Sequence, residues 1–338
     1  MAQPGSALAW GASGRPFKSD RPDQTSRPWS APPRSFLILR HYRPVHQSRQ
    51  PKWIPSRRSN EVGAHVFGRE EQSDLSSAPN SLTMALTILL TNDDGIHSPG
   101  LESLRKSMEM IGEVYVVAPD RERSAVGHSL TLDLPLRIIP VGNRTYAVTG
   151  TPTDCVALGV LKILGSRPDL IVAGINLGPN LGDDITYSGT VSAAMEGALL
   201  RIPSFAVSLA ANENFQFDGA AKFSVRLAEI ILERGLPPSA FLNVNIPNID
   251  LQQIRGVKIT SLGRRHYSET VLEKVDPRGK PYYWFGGTNH NWEVRDGTDI
   301  QAISQNMISV TPLHLDLTHY QLAEEMKRWG IESELSKA

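Results

Sequence analysis

Cysteine is nearly absent, with Cys155 the one thiol in 338 residues. An intramolecular disulfide is therefore excluded, and the usage fits a reducing, cytoplasmic compartment. A Cys/His zinc centre is excluded as well, because that cysteine follows Asp154 in a predicted helix. No apolar run approaches the ~18 residues of a membrane span. Phe36–Leu39, the apolar cluster nearest the start, is too short for the hydrophobic part of a secretory signal. Net charge is missing too, since 35 Lys/Arg balance 35 Asp/Glu. The balance hides an asymmetry. Residues 1–83 hold 12 basic and six acidic side chains, leaving 23 basic and 29 acidic ones beyond, a net of −6. That argues against non-specific binding to nucleic acid or an anionic membrane, but not against one small anion at one metal site.

What is present divides at about Met84. Ten of the 24 prolines lie in residues 1–83, among Arg, Ser and Gln, and no helical or strand period persists. Such a segment buries too little apolar surface to offset its ordering entropy, so 1–83 is expected to be a disordered extension, from a misplaced start or an organellar transit segment. Residues 84–338 are expected to form one globular domain.

From Met84 strands and helices alternate. Leu86–Leu90 is a short apolar run ending in Thr-Asn-Asp-Asp-Gly, a buried strand meeting a turn. Leu101, Leu104, Met108 and Ile111 recur at helical spacing. Val114–Ala118 is a second buried strand, stopped by Pro119. Thr153–Leu164 is predicted helical, Leu170–Ala173 a strand, Gly189–Leu200 a helix, Phe205–Leu209 a strand, Ala220–Glu233 a helix and Phe241–Ile246 a strand. This alternation implies right-handed crossovers and a mostly parallel α/β sheet covered by helices on both faces. Beyond Pro247 the pattern weakens. Val257–Ser261 and Ile308–Thr311 suggest strands, Asp276–Gly287 a long hairpin, and Tyr320–Leu335 a helix.

Polar clusters fall where parallel strands end, the place where open sheets build sites. Asn92-Asp93-Asp94-Gly95 is the first. Adjacent carboxylates in a water-poor crevice repel unless a cation lies beside them. Neighbours on a straight strand point to opposite faces, so the chain must turn at Asp93 for both to reach one ion, and Gly95 makes that turn easy. Taken alone, Asp94-Gly95 reads more readily as only a turn with a capping Asp. Pro119-Asp120-Arg121-Glu122-Arg123-Ser124 is the second cluster. Ser124 offers a neutral oxygen, and the arginines could hold phosphate or pair with the acids. In Gly174–Asp184 glycine falls every fourth residue, which fits neither a dinucleotide loop nor a P-loop, and Asn176 follows the strand with a carbonyl oxygen to offer. Tyr187-Ser188-Gly189-Thr190 opens a helix whose start suits phosphate, or is an ordinary N-cap. Together these are oxygen ligands for a hard cation such as Mg²⁺ or Mn²⁺.

In order, ILLTNDDGIHSPGL, VVAPDRERSAVGHSLTL, VTGTPTDCVALGV, GINLGPNLGDDITYSGTVSAAMEGAL and SVTPLHLDLT resemble the SurE family of metal-dependent nucleotidases. The resemblance spans Ile88 to Thr318. It implies a Rossmann-like core and a C-terminal hairpin arm, about Asp250–Gly297, through which subunits assemble as a homodimer or homotetramer. It implies one divalent metal cation (Mg or Mn) per subunit on Asp93, Asp94, Ser124 and Asn176, with Asn180, Ser188, Gly189 and Thr190 around the substrate phosphate. The implied reaction is phosphatase hydrolysis of nucleoside 5′- and 3′-monophosphates, with side activity on short polyphosphate. Asp93 and Asp94 are the catalytic candidates, Asp93 being favoured to orient or deprotonate the attacking water. An aspartyl-phosphate mechanism is disfavoured, because it needs Asp-x-Asp where this chain has adjacent acids. A nucleotide-binding regulatory protein without catalysis stays as the alternative. His128 and His314 are read as structural.

Overall fold

The chain alternates apolar runs with amphipathic stretches, and the computed structural model resolves them, among the described residues, into one large open sheet and two small two-stranded ones. Residues 86–266, 271–285 and 291–336 are described; the extension at 1–83 lies outside them. The strands are β1 (Thr87–Thr91), β2 (Glu113–Pro119), β3 (Ile138–Gly142), β4 (Thr145–Val148), β5 (Leu170–Leu177), β6 (Ser204–Ala210) and β7 (Ala240–Pro247). Five more precede the last long one: β8 (Val257–Ile259), β9 (Arg264–His266), β10 (Val271–Val275), β11 (Pro281–Phe285), β12 (Asn291–Glu293) and then β13 (Ile308–His314). The α-helices are α1 (Pro99–Met108), α2 (Pro152–Leu158), α3 (Gly189–Leu199), α4 (Phe217–Arg234), α5 (Asp299–Ser304), α6 (Tyr320–Arg328) and α7 (Ile331–Leu335).

Nine strands pair in the order β3-β4-β2-β1-β5-β6-β7-β13-β8. The five central ones are all parallel, and antiparallel pairing occurs at β3–β4 and β7–β13. This is the α/β, mostly parallel architecture that the alternation predicts, Rossmann-like as the resemblance implies. The near-continuous apolar runs have a direct cause, because strands of a covered parallel sheet are buried on both faces. Ile88 and Leu90 pack with Leu101, Leu104 and Met108 of α1 and with Ala221 and Ala228 of α4. Leu89 points the other way, onto Cys155 and Val156 of α2 and Val191 and Ala194 of α3. The Ala-rich composition of α3 follows from that position: it is buried nearly all round, so small side chains let it lie close to the sheet.

Several expectations shift in detail. The stretch predicted helical over 153–164 starts as α2, with a capping box between Thr151 and Asp154, and then widens into a π-helical turn over Gly159–Leu164. β5 runs on to Leu177, so Asn176 lies inside the strand and not after it; the register slips between Ala173 and Asn176. The terminal helix is two short ones, broken at Gly330, where the backbone is left-handed. β3 and β4 carry few buried residues and have no period-2 pattern long enough to read. The hairpin is β10 paired with β11, its turn tied by Asp276 Oδ1, which accepts 2.8 Å bonds from the Arg278 and Lys280 N–H groups.

One topological feature places the site. From β1 the chain crosses to β2 on one side, and from β5 it crosses to β6 on the other, while β1 and β5 are neighbours. The loops leaving the carboxyl ends of β1 and β5 therefore run apart and open a crevice, the switch point where such sheets bind ligands.

Candidate active site

The residues from the first strand are positioned by a turn locked through Asn92. Asn92 Nδ2 donates to the Gly95 carbonyl at 3.0 Å, and the Gly95 N–H returns a bond to Asn92 Oδ1 at 3.2 Å. Gly95 has φ +99°, and a Cβ there would meet the Arg121 backbone at 3.1 Å, so only glycine is comfortable. This turn puts both carboxylates on the wall of one cavity of about 490 Å³, together with Glu122, Ser124, Asn176, Asn180, Asp184, Tyr187, Ser188 and Arg265.

Asp93 is 6% exposed and rigidly held. The Thr190 N–H donates to its Oδ2 at 3.1 Å, and the Thr190 hydroxyl donates to its Oδ1. Burial raises the Asp93 pKa, against the lowering effect of the Thr190 side chain and backbone and of the Gly189 backbone. The first N–H groups of α3 are thus aimed at a carboxylate, the favourable partner for a helix N-terminus. Gly189 makes the approach possible: a Cβ at that position would lie 2.8 Å from Asp93 Cβ and 2.9 Å from its Oδ2. Asp94 is less constrained, accepting one bond from the Leu177 N–H at 3.3 Å. Its pKa is pushed up to about 7, first by burial, then by the Asp93 charge and, further down, by Glu122.

The other oxygens converge on the same place. Asn176 Nδ2 donates to the Gly178 carbonyl at 2.9 Å, and its Oδ1 lies 3.4 Å from the Thr190 hydroxyl that serves Asp93. The Arg123 N–H donates to the Asp93 carbonyl at 2.7 Å, which ties the Ser124 loop to the acidic turn. The Ser124 hydroxyl donates to Glu122 Oε1 at 2.8 Å, so its lone pairs stay available. Arg123 pairs with Asp120 at 3.6 Å, resolving one of the options left open for that loop. The chemistry of this donor set suits a hard divalent cation: two carboxylates whose charges repel, an amide oxygen and a hydroxyl. Among the described residues, no group of three or more His, Cys, Asp or Glu is arranged to hold a metal ion, so a cation here would rest on two carboxylates completed by amide and hydroxyl oxygens.

Of the residues expected near phosphate, Asn180 and Ser188 line the cavity, whereas Gly189 and Thr190 sit behind Asp93. Ser188 is the α3 N-cap, accepting from the Val191 N–H at 3.1 Å. Asn180 is held by a buried polar network that sequence reasoning missed. Its carbonyl accepts from Asn243 Nδ2 at 2.9 Å and Asn245 Nδ2 at 2.8 Å, its N–H donates to Asn245 Oδ1 at 2.8 Å, and its Nδ2 reaches Ser208 Oγ at 2.7 Å. A signal was present in the two asparagines alternating within the apolar strand Phe241–Ile246. Also missed was Asp299, fully buried, which accepts from the Gly182 and Gly263 N–H groups and so anchors the loop after β5. Arg265, paired with Asp184 at 2.6 Å, places a cation in the cavity wall. His128 meets Glu196 at 3.0 Å and His314 lies on β13, both off the cavity wall.

Comparison with known proteins gives the family. The sequence profile of the family described as "Survival protein SurE" matches residues 88–269. A protein of Geotalea uraniireducens strain Rf4 named 5′-nucleotidase SurE is 54% identical over 247 residues, 73% of this chain and 100% of that protein. A protein of the same name from Geobacter sulfurreducens is 51% identical over 249 residues, 73% of this chain and 95% of its own length. The crystal structure of the Sure protein from Aquifex aeolicus superposes with a TM-score of 0.66 at 49% identity, covering 72% of this chain and 99% of that one. With its profile matched across the acidic turn, the serine loop and the α3 start, and with relatives aligned along nearly their whole length, the chain belongs to the SurE family.

Proposed function

We propose that this protein is a 5′-nucleotidase, a phosphoric monoester hydrolase that releases phosphate from nucleoside monophosphates with a divalent metal cofactor. The observation that supports it most is the convergence of Asp93, Asp94, Ser124 and Asn176 on one cavity at the switch point of the sheet. One Mg²⁺ or Mn²⁺ per subunit, held by those four residues, would neutralise phosphate oxygens and acidify a water for attack. The side chains do the rest. Asp93, clamped by Thr190 and the α3 backbone, is suited to be the fixed ligand. Asp94, with one long backbone bond, is the carboxylate better placed to orient the water and take its proton, a role the sequence suggested for Asp93. Asn180, Ser188 and Arg265, which line the same cavity, would bind and orient the phosphate.

Because these groups address only the phosphoester, the same site would act on nucleoside 3′-monophosphates and on the ends of short polyphosphate. The exposed β10–β11 hairpin, with Tyr282, Tyr283 and Trp284 each more than a third exposed, is proposed as the arm that joins subunits into a homodimer or homotetramer. The lone Cys155, buried, favours a cytoplasmic setting. The decisive measurement is release of inorganic phosphate from AMP with Mg²⁺, Mn²⁺ or EDTA. Turnover with metal, none with EDTA, and a loss of at least about a hundredfold in Asp93→Asn with unfolding temperature kept are expected. AMP binding without phosphate release under every metal would instead leave a nucleotide-binding regulator.

A further inference from the structure

Asp299 is a fully buried carboxylate that the reaction described above does not use. A carboxyl group stays in such a place only where donors meet it, and here they come from three segments of the chain. Its Oδ2 accepts the Gly182 N–H at 2.8 Å, from the loop that follows β5. Its Oδ1 accepts the Gly263 N–H at 2.7 Å, from the residues leading into β9, and the Ile300 N–H at 2.8 Å, from the start of α5. The two glycines also meet each other. A Cβ on Gly182, whose φ is +53°, would lie 2.9 Å from the Gly263 carbonyl oxygen. A Cβ on Gly263 would lie 2.2 Å from Ile300 Cδ1 and 3.1 Å from Asp299 Oδ1. The three segments are thus closed on the carboxylate with no room for a side chain at either glycine.

Two residues beyond each glycine stands one member of the ion pair in the acidic cavity. Asp184 follows Gly182, Arg265 follows Gly263, and the two meet at 2.6 Å. Asn180, two residues before Gly182, lines the same cavity. On its other side the Arg265 guanidinium lies 5.4 Å from the centre of the ring of Trp292, its register partner on β12. So short a length of chain separates the anchored N–H groups from these side chains that a shift at either glycine is carried into the cavity. Resting on the reading of the cavity as a nucleotidase site, we infer that Asp299 is a positioning residue: by holding Gly182 and Gly263 together, it sets Arg265 and Asn180 where the substrate phosphate meets them. Asp299 touches neither phosphate nor metal, so it acts through Arg265 and Asn180 alone. Asparagine in its place keeps the shape but turns an NH₂ group toward one of the glycine N–H groups, which releases that segment.

The test is steady-state hydrolysis of AMP by the Mg²⁺-loaded full chain, with inorganic phosphate as the competing product. Asp299→Asn is expected to raise KM for AMP and the inhibition constant of phosphate about tenfold, with a smaller change in kcat. Arg265→Gln should raise the same two constants. Adding Asp299→Asn to it should cost less than about twofold more, because residues that act through one another are not additive. Gly182→Ala presses on the Gly263 carbonyl while leaving the carboxylate in place, and should repeat the rise in both constants even if the buried acid tolerates no substitution. A merely structural anchor would lower the unfolding temperature without that pattern. Unchanged constants in either folded variant, or an undiminished further loss in the Arg265→Gln background, would overturn the positioning role. Wild type that releases no phosphate from AMP overturns the nucleotidase reading itself. Calorimetric binding of inorganic phosphate to the same chains then decides, without turnover, whether Asp299 acts through Arg265.

Discussion

At the scale of the residue, the site is organised around a charge problem. Asp93 and Asp94 are adjacent, largely buried and face one cavity, so ionising both costs energy that a cation can offset. For Asp94 the consequence for stability has a definite sign. Its pKa in the folded metal-free protein is about 7, above the usual 3.8, so the folded state holds the proton more tightly than the unfolded chain. The stabilisation from that proton is complete below pH 3.8 and is lost as pH rises through about 7. In EDTA, unfolding temperature should therefore fall between mildly acidic and neutral pH. Asp94→Asn should flatten that slope and raise the neutral-pH value, and thermal unfolding across pH reads both. Thr190 acts at the same scale through Asp93, to which it gives both a hydroxyl and an N–H bond. Thr190→Val keeps the shape and removes the hydroxyl. Outer-shell losses of this kind cost about 10–100-fold in metal affinity or activity. The expected result is a lower kcat at saturating metal and a weaker apparent metal affinity, and a metal titration of activity measures it.

At the scale of the element, α3 and β5 show how backbone geometry brings distant oxygens together. The α3 start approaches Asp93 so closely that position 189 has no room for a methyl group. Gly189→Ala should displace the carboxylate or the helix, lowering kcat/KM for AMP by tenfold or more, of the order that small misplacements cost. Its unfolding temperature should fall less than activity does, since α3 is otherwise an excellent helix. Much of this level was legible beforehand. The run Ile88–Leu90, the helix through Leu101, Leu104 and Met108, and the Ala-rich α3 appear where period and composition place them. The exceptions have physical causes. Asn176 was expected just past its strand, but β5 continues through an irregularity in its pairing with β6, which no local pattern reports. The polar β7 residues Asn243 and Asn245 hold Asn180 from a strand some 60 positions away, an arrangement that only the β6–β7 pairing creates.

At the scale of the whole molecule, apolar surface collects outside the core. Leu272, Val275, Tyr283 and Trp284 of the hairpin are about half exposed or more, an unusual concentration for a protein that acts alone. If the hairpin is the assembly arm, Tyr283→Ser with Trp284→Ser should shift the mass seen by light scattering toward monomer. An unchanged mass in a folded variant would assign assembly to another surface.

Sequence alone determined a good deal. Apolar runs alternating with helical periods point to a covered, mostly parallel sheet, because crossover helices pack on both faces of such strands. The acidic pair at a strand end marks a place where charge has to be offset, by a cation or by a held proton, because neighbouring charges leave water at high cost. The order of motifs carries the family. Tertiary structure alone decided which loops meet. Strand order is not written in any window of sequence; it follows from how crossovers pack, and it set β5 beside β1. That adjacency brought Asn176 and Asp93 onto one threonine hydroxyl and turned the α3 start from an open anion site into the clamp of a carboxylate, while the packing of β9 set Arg265 against Asp184.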